Sequence, residues 1–250
     1  MQLPTHLGSI QRVKDTRVTI AFLIVSLALV CAAIWAYHSF ITSPPFVDPD
    51  RYPIRGIDIS RHNGMMNLDA AAADGIDFVF IKASEGTTLR DPNFRINYDK
   101  ASHAGLKIGA YHFFKFDQEG IPQAKNFLNA IGDHHLDLHP VIDFEKAYNH
   151  TGDDPEIIKQ RLIDMADYLN LSGYSVIVYT NKESYEMVRD ALPGTSLWIC
   201  SFNRIPIDAE WTFWQYDHHG RVAGIRGDVD LNAFVGSRED WQKYLTAGTL

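Results

Sequence analysis

Short runs of apolar, β-branched and aromatic residues recur between residues 56 and 234, and their spacing limits the folds open to the chain. Helix-length segments separate the first six runs, whereas the gaps between the last three are too short for crossover helices. The predicted strands are 56–60, 78–83, 107–114, 141–145, 175–180, 197–202, 213–217 and 229–234. The predicted helices are 68–74, 94–104, 121–131, 155–171 and 182–191.

Strands that alternate with helices form parallel βαβ units, and eight such strands suggest a closed barrel. We therefore predict an α/β fold, an irregular TIM-like barrel with eight strands and about five helices and a less regular final third. An open doubly wound sheet is the alternative. In a barrel of this kind, catalytic residues lie at the carboxyl ends of the strands.

An uncharged apolar run of 20 residues, 18–37, precedes this region and is long enough to cross a bilayer as a transmembrane helix. Basic residues precede the run, so the positive-inside rule places residues 1–17 in the cytoplasm and exports the remainder. A signal peptide is the alternative, because small residues late in the run could form a cleavage site. Residues 38–54 contain four prolines and predict a stiff linker to a domain at 55–250.

Composition limits the classes of function that the exported domain can have. The chain is 46% apolar and 12% aromatic, which suffices for a large core, and its net charge is −8. Because residues 1–37 carry a net charge of +2, the remainder carries −10, which argues against nucleic acid as a partner. The two cysteines are Cys31, in the apolar run, and Cys200, so we expect no internal disulfide.

The segment Pro-Val-Ile-Asp-Phe-Glu at 140–145 places two carboxylates, Asp143 and Glu145, on one predicted strand. Alternate strand residues share a face, so the two Cβ atoms are expected about 6.5 Å apart. Their neighbours are apolar, and charge in such a segment is costly. Two adjacent carboxyls can titrate apart, one protonated and the other ionised, which suits hydrolysis of a glycosidic bond.

Two other interpretations of this pair stay open. The carboxylates could form a structural ion pair or hydrogen-bonded network inside the barrel. They could also join a histidine in a metal site, because His134-His135 and His218-His219 are adjacent pairs. Neighbouring strand residues diverge, however, and the sequence has no His-Glu-x-x-His spacing.

Further polar and aromatic residues lie where barrel loops should begin. Asp58 and Asp230 each alternate with apolar residues, and each could be catalytic or could simply cap a loop. Aromatic rings can stack on the C–H faces of sugars, although core packing also explains many of them. The candidate substrate-binding residues are Tyr111, Tyr179, Trp198, Trp214, Gln215 and Tyr216.

With these motifs in order, the sequence resembles glycoside hydrolase family 25, the N-acetylmuramidases often called lysozymes. The resemblance runs from about residue 56 to about residue 234. Its motifs are Gly-Ile-Asp-Ile-Ser at 56–60, Phe-Val-Phe-Ile-Lys-Ala-Ser-Glu-Gly at 78–86, Gly-Ala-Tyr-His-Phe-Phe at 109–114, Pro-Val-Ile-Asp-Phe-Glu at 140–145, Val-Tyr-Thr-Asn at 178–181, Leu-Trp-Ile at 197–199, Trp-Gln-Tyr at 214–216 and Val-Asp-Leu-Asn at 229–232. The segment 61–68 departs from the pattern of many relatives.

The resemblance implies retaining cleavage of the β-1,4 bond between N-acetylmuramic acid and N-acetylglucosamine in peptidoglycan. By position, Glu145 resembles the general acid and base, and Asp143 either the nucleophile or the group that orients the substrate's N-acetyl group. Asp58 and Asp230 match the family's other cleft carboxylates. Among the aromatic candidates, Tyr111, Tyr179, Trp198 and Trp214 would be subsite walls.

We therefore expect a membrane-tethered muramidase that faces the periplasm or the cell exterior and needs no metal or organic cofactor. Its expected partners are peptidoglycan glycan strands and, through the N-terminal helix, the membrane. Secretion after signal cleavage is the alternative location. The alternative functions are a non-catalytic glycan-binding module, a glycosidase for another N-acetylated polysaccharide, and an interaction protein that depends on its anchor. The sequence leaves the oligomeric state open.

Overall fold

The computed structural model of the protein describes residues 7–42, 47–150, 152–202 and 210–247. The chain divides into two compact units, Met1–Ser43 and Pro44–Leu250. Part of the predicted cytoplasmic segment, residues 1–6, and part of the predicted linker, residues 43–46, lie outside the described residues.

The first unit contains a single long helix, α1 (Leu7–Thr42). Within it, Val18–His38 has a mean hydropathy of 2.6 over a length sufficient to cross a membrane. Within Val18–His38 apolar side chains lie on all sides of the helix, as expected for a segment in lipid rather than on a protein surface. The helix fits a membrane anchor, and a signal sequence near an N-terminus has the same length and composition.

The second unit is a closed α/β barrel, which confirms the predicted fold class. Its strands are β1 (Arg55–Ile59), β2 (Phe78–Glu85), β3 (Leu89–Arg90), β4 (Lys107–Phe113), β5 (Val141–Asp143), β6 (Ile177–Asn181), β7 (Ser196–Cys200), β8 (Phe213–Gly220) and β9 (Val229–Phe234). Its helices are α2 (Leu68–Ala73), α3 (Phe94–His103), α4 (Gly120–Ile131), α5 (Pro155–Leu171), α6 (Tyr185–Ala191) and α7 (Arg238–Ala247).

Eight strands form the barrel, and the two-residue β3 pairs only with β2, outside the ring. Neighbouring strands from β1 through β2 and β4 to β8 run parallel. The ring is closed by β9, which runs antiparallel to both β8 and β1. All eight predicted strands are therefore present, and the irregularity predicted for the final third lies in this reversed strand.

Large aromatic side chains fill the barrel interior because glycines on neighbouring strands leave room for them. Gly56 on β1 pairs with Phe78, and Gly109 on β4 pairs with Phe80. A Cβ atom at either glycine would overlap the facing phenylalanine ring. Trp198 stacks on Phe80 with ring centroids 4.5 Å apart. The interior is thus a packed core and not a pore, so a cleft can form only at one of its ends.

The outside of the barrel is covered by α2 to α6, the five helices that the sequence predicts. Each contributes at least one buried apolar side chain to the layer between barrel and helices: Leu68, Ala101, Phe127, Leu162 and Val188, in chain order. All three hydrophobic clusters of the described residues lie within the second unit. This unit therefore has a core of its own and is expected to fold without α1.

The sequence analysis missed α7, which covers the amino-terminal end of the barrel. Its Trp241 is 4% exposed and packs against three aromatic rings of the barrel strands, Phe78, Phe213 and Phe234, with centroids 5.0 to 6.3 Å away. The amino-terminal end of the barrel is therefore sealed, and the carboxyl ends of the strands remain open.

Candidate active site

A cleft of about 1210 Å³ opens at the carboxyl ends of the barrel strands. The carboxyl candidates lie at this end: Asp58 is next to last in β1, Asp143 ends β5, Glu145 follows β5, and Asp230 is second in the reversed strand β9. The other predicted residues on the cleft wall lie further inside their strands. Eight of the ten predicted site residues line this cleft: Asp58, Tyr111, Asp143, Glu145, Tyr179, Trp198, Gln215 and Asp230.

Asp143 is the last residue of β5 and is 8% exposed. Its Oδ1 atom is buried and has no hydrogen-bond partner among the described residues. Burial raises the pKa of Asp143 well above its ordinary value, and the charge of Glu145 raises it further, while Lys82 acts in the opposite direction. A buried acceptor without a partner is costly in a folded protein, so this oxygen is available to a bound ligand.

Glu145 lies two residues beyond Asp143, past the end of β5, so only one of the two carboxylates is on the strand itself. Asn181 at the end of β6 donates from Nδ2 to Glu145 Oε2 over 3.3 Å. The backbone oxygen of Glu145 accepts from Asn149 Nδ2 over 2.8 Å, which fixes the chain as it leaves the strand. Burial is the largest cause that raises the pKa of Glu145, and the hydrogen bond from Asn181 partly offsets it.

Asp58 and Asp230 face each other directly in the antiparallel pairing of β1 with β9. Oδ2 of Asp58 accepts from Gln215 Nε2 at 2.8 Å and from Asn232 Nδ2 at 2.9 Å. Burial and the charge of Asp58 raise the pKa of Asp230 to about 8, and the two carboxyls are hydrogen-bonded to each other. Asp230 therefore keeps its proton near neutral pH, and Asp58 accepts it in a hydrogen bond.

Two aromatic side chains of the cleft hold the amides that bind Asp58. The hydroxyl of Tyr179 donates to Gln215 Oε1 over 2.9 Å, and Nε1 of Trp198 donates to Asn232 Oδ1 over 2.8 Å. Each amide thus has its oxygen occupied by an aromatic donor and its nitrogen directed at the carboxylate. The aromatic wall is therefore part of the electrostatic network of the cleft.

The other two predicted site residues, Trp214 and Tyr216, do not line the cleft. They lie on the face of β8 opposite to Gln215, because successive strand residues point to opposite sides. Trp214 is fully buried between Tyr52 and Trp211, with centroids 5.8 and 5.9 Å away, and its Nε1 donates to the backbone oxygen of Ser201. The structure places this pair in a packed cluster outside the barrel, and we drop both as substrate contacts.

The sequence analysis missed several polar residues of the cleft. Lys82 Nζ binds Glu85 Oε2 at 2.8 Å, and both side chains line the wall beside Asp143. Asn181 and Asn232 belong to motifs already noted, and their positions in the predicted strands could have identified them. Asn181 ends a strand at the carboxyl end of the barrel, and Asn232 shares a strand face with Asp230, two residues earlier.

The cleft holds carboxylates and histidines without forming a metal centre in the part of the chain that the structure describes. No group of three or more histidine, cysteine, aspartate or glutamate side chains has a metal-binding arrangement there. Cys200 lines the cleft, but burial raises the pKa of its thiol to about 12, so the thiolate is not formed near neutral pH. The carboxyl groups of the cleft, with their raised pKa values, can donate and accept protons.

Comparison with known proteins identifies the family of this barrel. The model of the glycosyl hydrolases of family 25 matches residues 57–225, which include Asp58, Asp143 and Glu145. The chain belongs to glycosyl hydrolase family 25. The resemblance found in the sequence and the expectation of a glycoside hydrolase are thereby confirmed.

Known lysozymes match over most of this chain. The autolytic lysozyme of Clostridium acetobutylicum is 34% identical over 184 residues, 72% of this chain and 56% of the lysozyme. Lysozyme M1 of Streptomyces globisporus is 32% identical over 75% of this chain and 70% of its own length. The chain thus spans little more than half of the first relative and over two thirds of the second.

A solved structure shares the barrel. The family 25 glycosyl hydrolase of Bacillus anthracis superposes with a TM-score of 0.72 and 31% sequence identity. The match covers 81% of this chain and 97% of the Bacillus chain. The Bacillus chain consists almost entirely of the part that matches, which agrees with a barrel unit that folds without α1.

Proposed function

We propose that this protein is a muramidase that hydrolyses the β-1,4 bond between N-acetylmuramic acid and N-acetylglucosamine in peptidoglycan with retention. The proposal rests on the environment of Asp143, which is buried in an aromatic cleft two residues from Glu145. Its Oδ1 atom lacks a hydrogen-bond partner among the described residues. Membership of family 25 and the lysozyme relatives support peptidoglycan as the substrate.

Glu145 acts as the general acid. Its raised pKa keeps the carboxyl protonated at higher pH than an exposed glutamate, so it can donate a proton to the leaving oxygen. Proton loss leaves Glu145 ionised, and it then removes a proton from the water that attacks the intermediate. Asn181 holds the side chain in place for both steps.

Asp143 serves the same reaction through one of two retaining routes. It attacks the anomeric carbon, or it accepts the N–H of the acetamido group and orients that group's carbonyl oxygen for attack. Direct attack requires the ionised carboxylate, which the charge of Lys82 favours against the effects of burial and Glu145. The unpartnered Oδ1 supplies the acceptor in either route. Peptidoglycan whose muramic acid lacks the N-acetyl group separates the routes, because only direct attack by Asp143 cleaves it at the usual rate.

In this proposal α1 holds the enzyme at the membrane, and the barrel cleaves peptidoglycan in the periplasm or at the cell exterior. The length and hydropathy of Val18–His38 support the anchor. Asp58 and Asp230 bind the sugar and maintain the electrostatic environment of Glu145. Tyr111, Tyr179 and Trp198 form the subsite walls around them.

The test is digestion of purified peptidoglycan by residues 44–250, followed by mass spectrometry of the borohydride-reduced products. We expect fragments that end in reduced N-acetylmuramic acid. Glu145→Gln should lower kcat by about 10² to 10⁴-fold, because it removes the proton donor at nearly constant shape.

The matched control is Glu156→Gln on the exposed first turn of α5, which removes the same charge outside the cleft and should keep full activity. Full activity of Glu145→Gln would falsify the assignment of the acid. Fragments that end in reduced N-acetylglucosamine would show a different glycosidase, and binding without cleavage would show a glycan-binding module.

A further inference from the structure

An exposed tyrosine stands at the rim of the cleft, on the turn that follows β5. Tyr148 is 91% exposed and lines the cleft that contains Asp143 and Glu145. Its φ is 60°, and in the described part of the chain it is the one residue other than glycine with a positive φ. This conformation is unfavourable for a side chain with a Cβ atom, and strain of this kind concentrates at functional sites.

A lysine from the neighbouring loop holds the strained residue. Lys115 Nζ donates to the backbone oxygen of Tyr148 over 2.8 Å. The same ammonium group lies 5.6 Å from the centroid of the Phe113 ring, at the end of β4. The backbone of Tyr148 is therefore fixed to the wall of the cleft while its ring projects into solvent.

Asn149 connects this turn to the catalytic carboxylate. Its Nδ2 donates to the backbone oxygens of Phe114 and Glu145, over 2.9 and 2.8 Å. Its Oδ1 accepts from the backbone N–H of Phe116 over 3.0 Å. One side chain thus fixes both the exit of Glu145 from the strand and the residue next to Tyr148, so the backbone that carries the exposed ring has a defined position relative to the acid.

The ring lies outward from the reacting carboxyls. Tyr179 and Trp198, which bound the cleft near the carboxyls, are 8% and 2% exposed. The Tyr148 ring contributes little to the stability of the fold, because a ring that stays in water adds little hydrophobic stabilisation. An exposed aromatic face of this type matches the apolar C–H face of a pyranose ring, and its hydroxyl can reach the polar edge.

We propose that Tyr148 is a sugar-stacking platform that forms an outer subsite for the glycan strand, beyond the two sugars that flank the cleaved bond. The proposal rests on the muramidase function proposed above and assigns one further specificity-determining residue to that cleft. The platform lengthens the stretch of glycan that the enzyme holds, so long strands bind more tightly than short fragments.

The experiment measures kcat and KM of residues 44–250 on soluble glycan strands, with and without their peptide stems, and on a short substrate that spans only the cleaved bond. The variants are Tyr148→Ala, Tyr148→Gly and Tyr148→Phe. Glycine adopts the positive φ without strain, so Tyr148→Gly removes the ring and keeps the fold. Leu171→Ala on α5, an 88% exposed apolar residue outside the cleft, is the control for loss of apolar surface.

We expect KM on long strands to rise about tenfold in Tyr148→Ala and Tyr148→Gly, with a smaller change in kcat, as one aromatic stacking contact implies. Tyr148→Phe should restore the affinity, and Leu171→Ala should match the wild type. The short substrate should show no difference between wild type and variants.

An unchanged KM on long strands in both ring-deleting variants would overturn the outer subsite and leave the muramidase function intact. An effect confined to strands that carry stems would assign Tyr148 to the peptide and overturn the sugar platform. If the wild-type domain cleaves no peptidoglycan, the proposed function fails, and the subsite fails with it.

Discussion

Four carboxyl groups of the cleft, those of Asp58, Asp143, Glu145 and Asp230, together carry fewer than four charges near neutral pH. Asp230 keeps its proton because burial and the facing Asp58 raise its pKa to about 8. Asp58 is held by two amide donors in addition to Asp230. The pKa of Asp143 and of Glu145 is also raised, chiefly by burial. These residues create a cleft in which protonated acids persist, which is the condition for general acid catalysis at mild pH.

This arrangement should make stability depend on pH. Asp230 has an ordinary pKa of 3.8 that rises to about 8 in the folded state, so the folded state binds the proton more tightly than the unfolded chain. The free energy of unfolding should therefore fall as pH increases from about 4 to about 8. Asp230→Asn should reduce this slope, measured by urea denaturation of residues 44–250 across that range.

The control for the pH slope is Asp167→Asn, an exposed carboxyl on α5, which should keep the wild-type slope. Asp58, Asp143 and Glu145 act in the same direction as Asp230, so the slope of Asp230→Asn should be smaller but not zero. A slope identical to that of the wild type would contradict the assignment of a neutral Asp230.

At the scale of single residues, the sequence located the cleft because catalytic residues of a barrel lie at the carboxyl ends of its strands. It placed Trp214, Gln215 and Tyr216 together in the site. Successive strand residues point to opposite sides, however, so Gln215 cannot share a face with its two neighbours. Sequence alternation separates the two faces of a strand but does not say which face is interior. Both sides of β8 are buried here, one in the barrel and one under Tyr52 and Trp211. Only the assembled barrel resolves the choice.

For whole elements, periodicity located all eight barrel strands, because each is a compact apolar run bounded by turn residues. The same argument did not locate α7, even though its start carries a capping box. Ser237 Oγ accepts from the backbone N–H of Asp240, and Asp240 Oδ2 accepts from the backbone N–H of Ser237. The helix has few apolar positions, and Trp241 is its one buried residue, so its apolar pattern is weak.

Trp241 should nevertheless account for much of the contribution of α7 to stability. Trp241→Ala should lower the free energy of unfolding by about 3 to 5 kcal/mol, because it leaves a cavity among three aromatic rings. Chemical denaturation measures this loss. Activity of the folded protein should persist, because the helix lies at the end of the barrel opposite to the cleft.

Lys243→Ala on the exposed side of α7 is the matched comparison, and it should change stability by less than about 1 kcal/mol, because it removes only surface ion pairs. Equal losses from the two variants would show that α7 does not depend on its tryptophan.

At the scale of the whole molecule, the chain consists of an apolar helix and a barrel with a separate core. We expect the full chain to stay with membranes after an alkaline carbonate wash and to retain residues 18–37 by mass spectrometry. Residues 44–250 should be soluble, with the same melting temperature as the barrel of the full chain, because α1 supplies none of the barrel's described core. Recovery of a shortened, membrane-free protein would establish a cleaved signal instead.

The pairing of β1 with β9 has a consequence for the timing of activity. Asp58 and Asn232, 174 positions apart in the chain, meet only when the last strand closes the ring. Contacts between such distant segments form late in folding, since a long loop must be closed first. A chain whose last strand is still unpaired therefore lacks the contacts of Asp58 with Asp230 and Asn232. We therefore expect hydrolytic activity to appear only once the ring is closed.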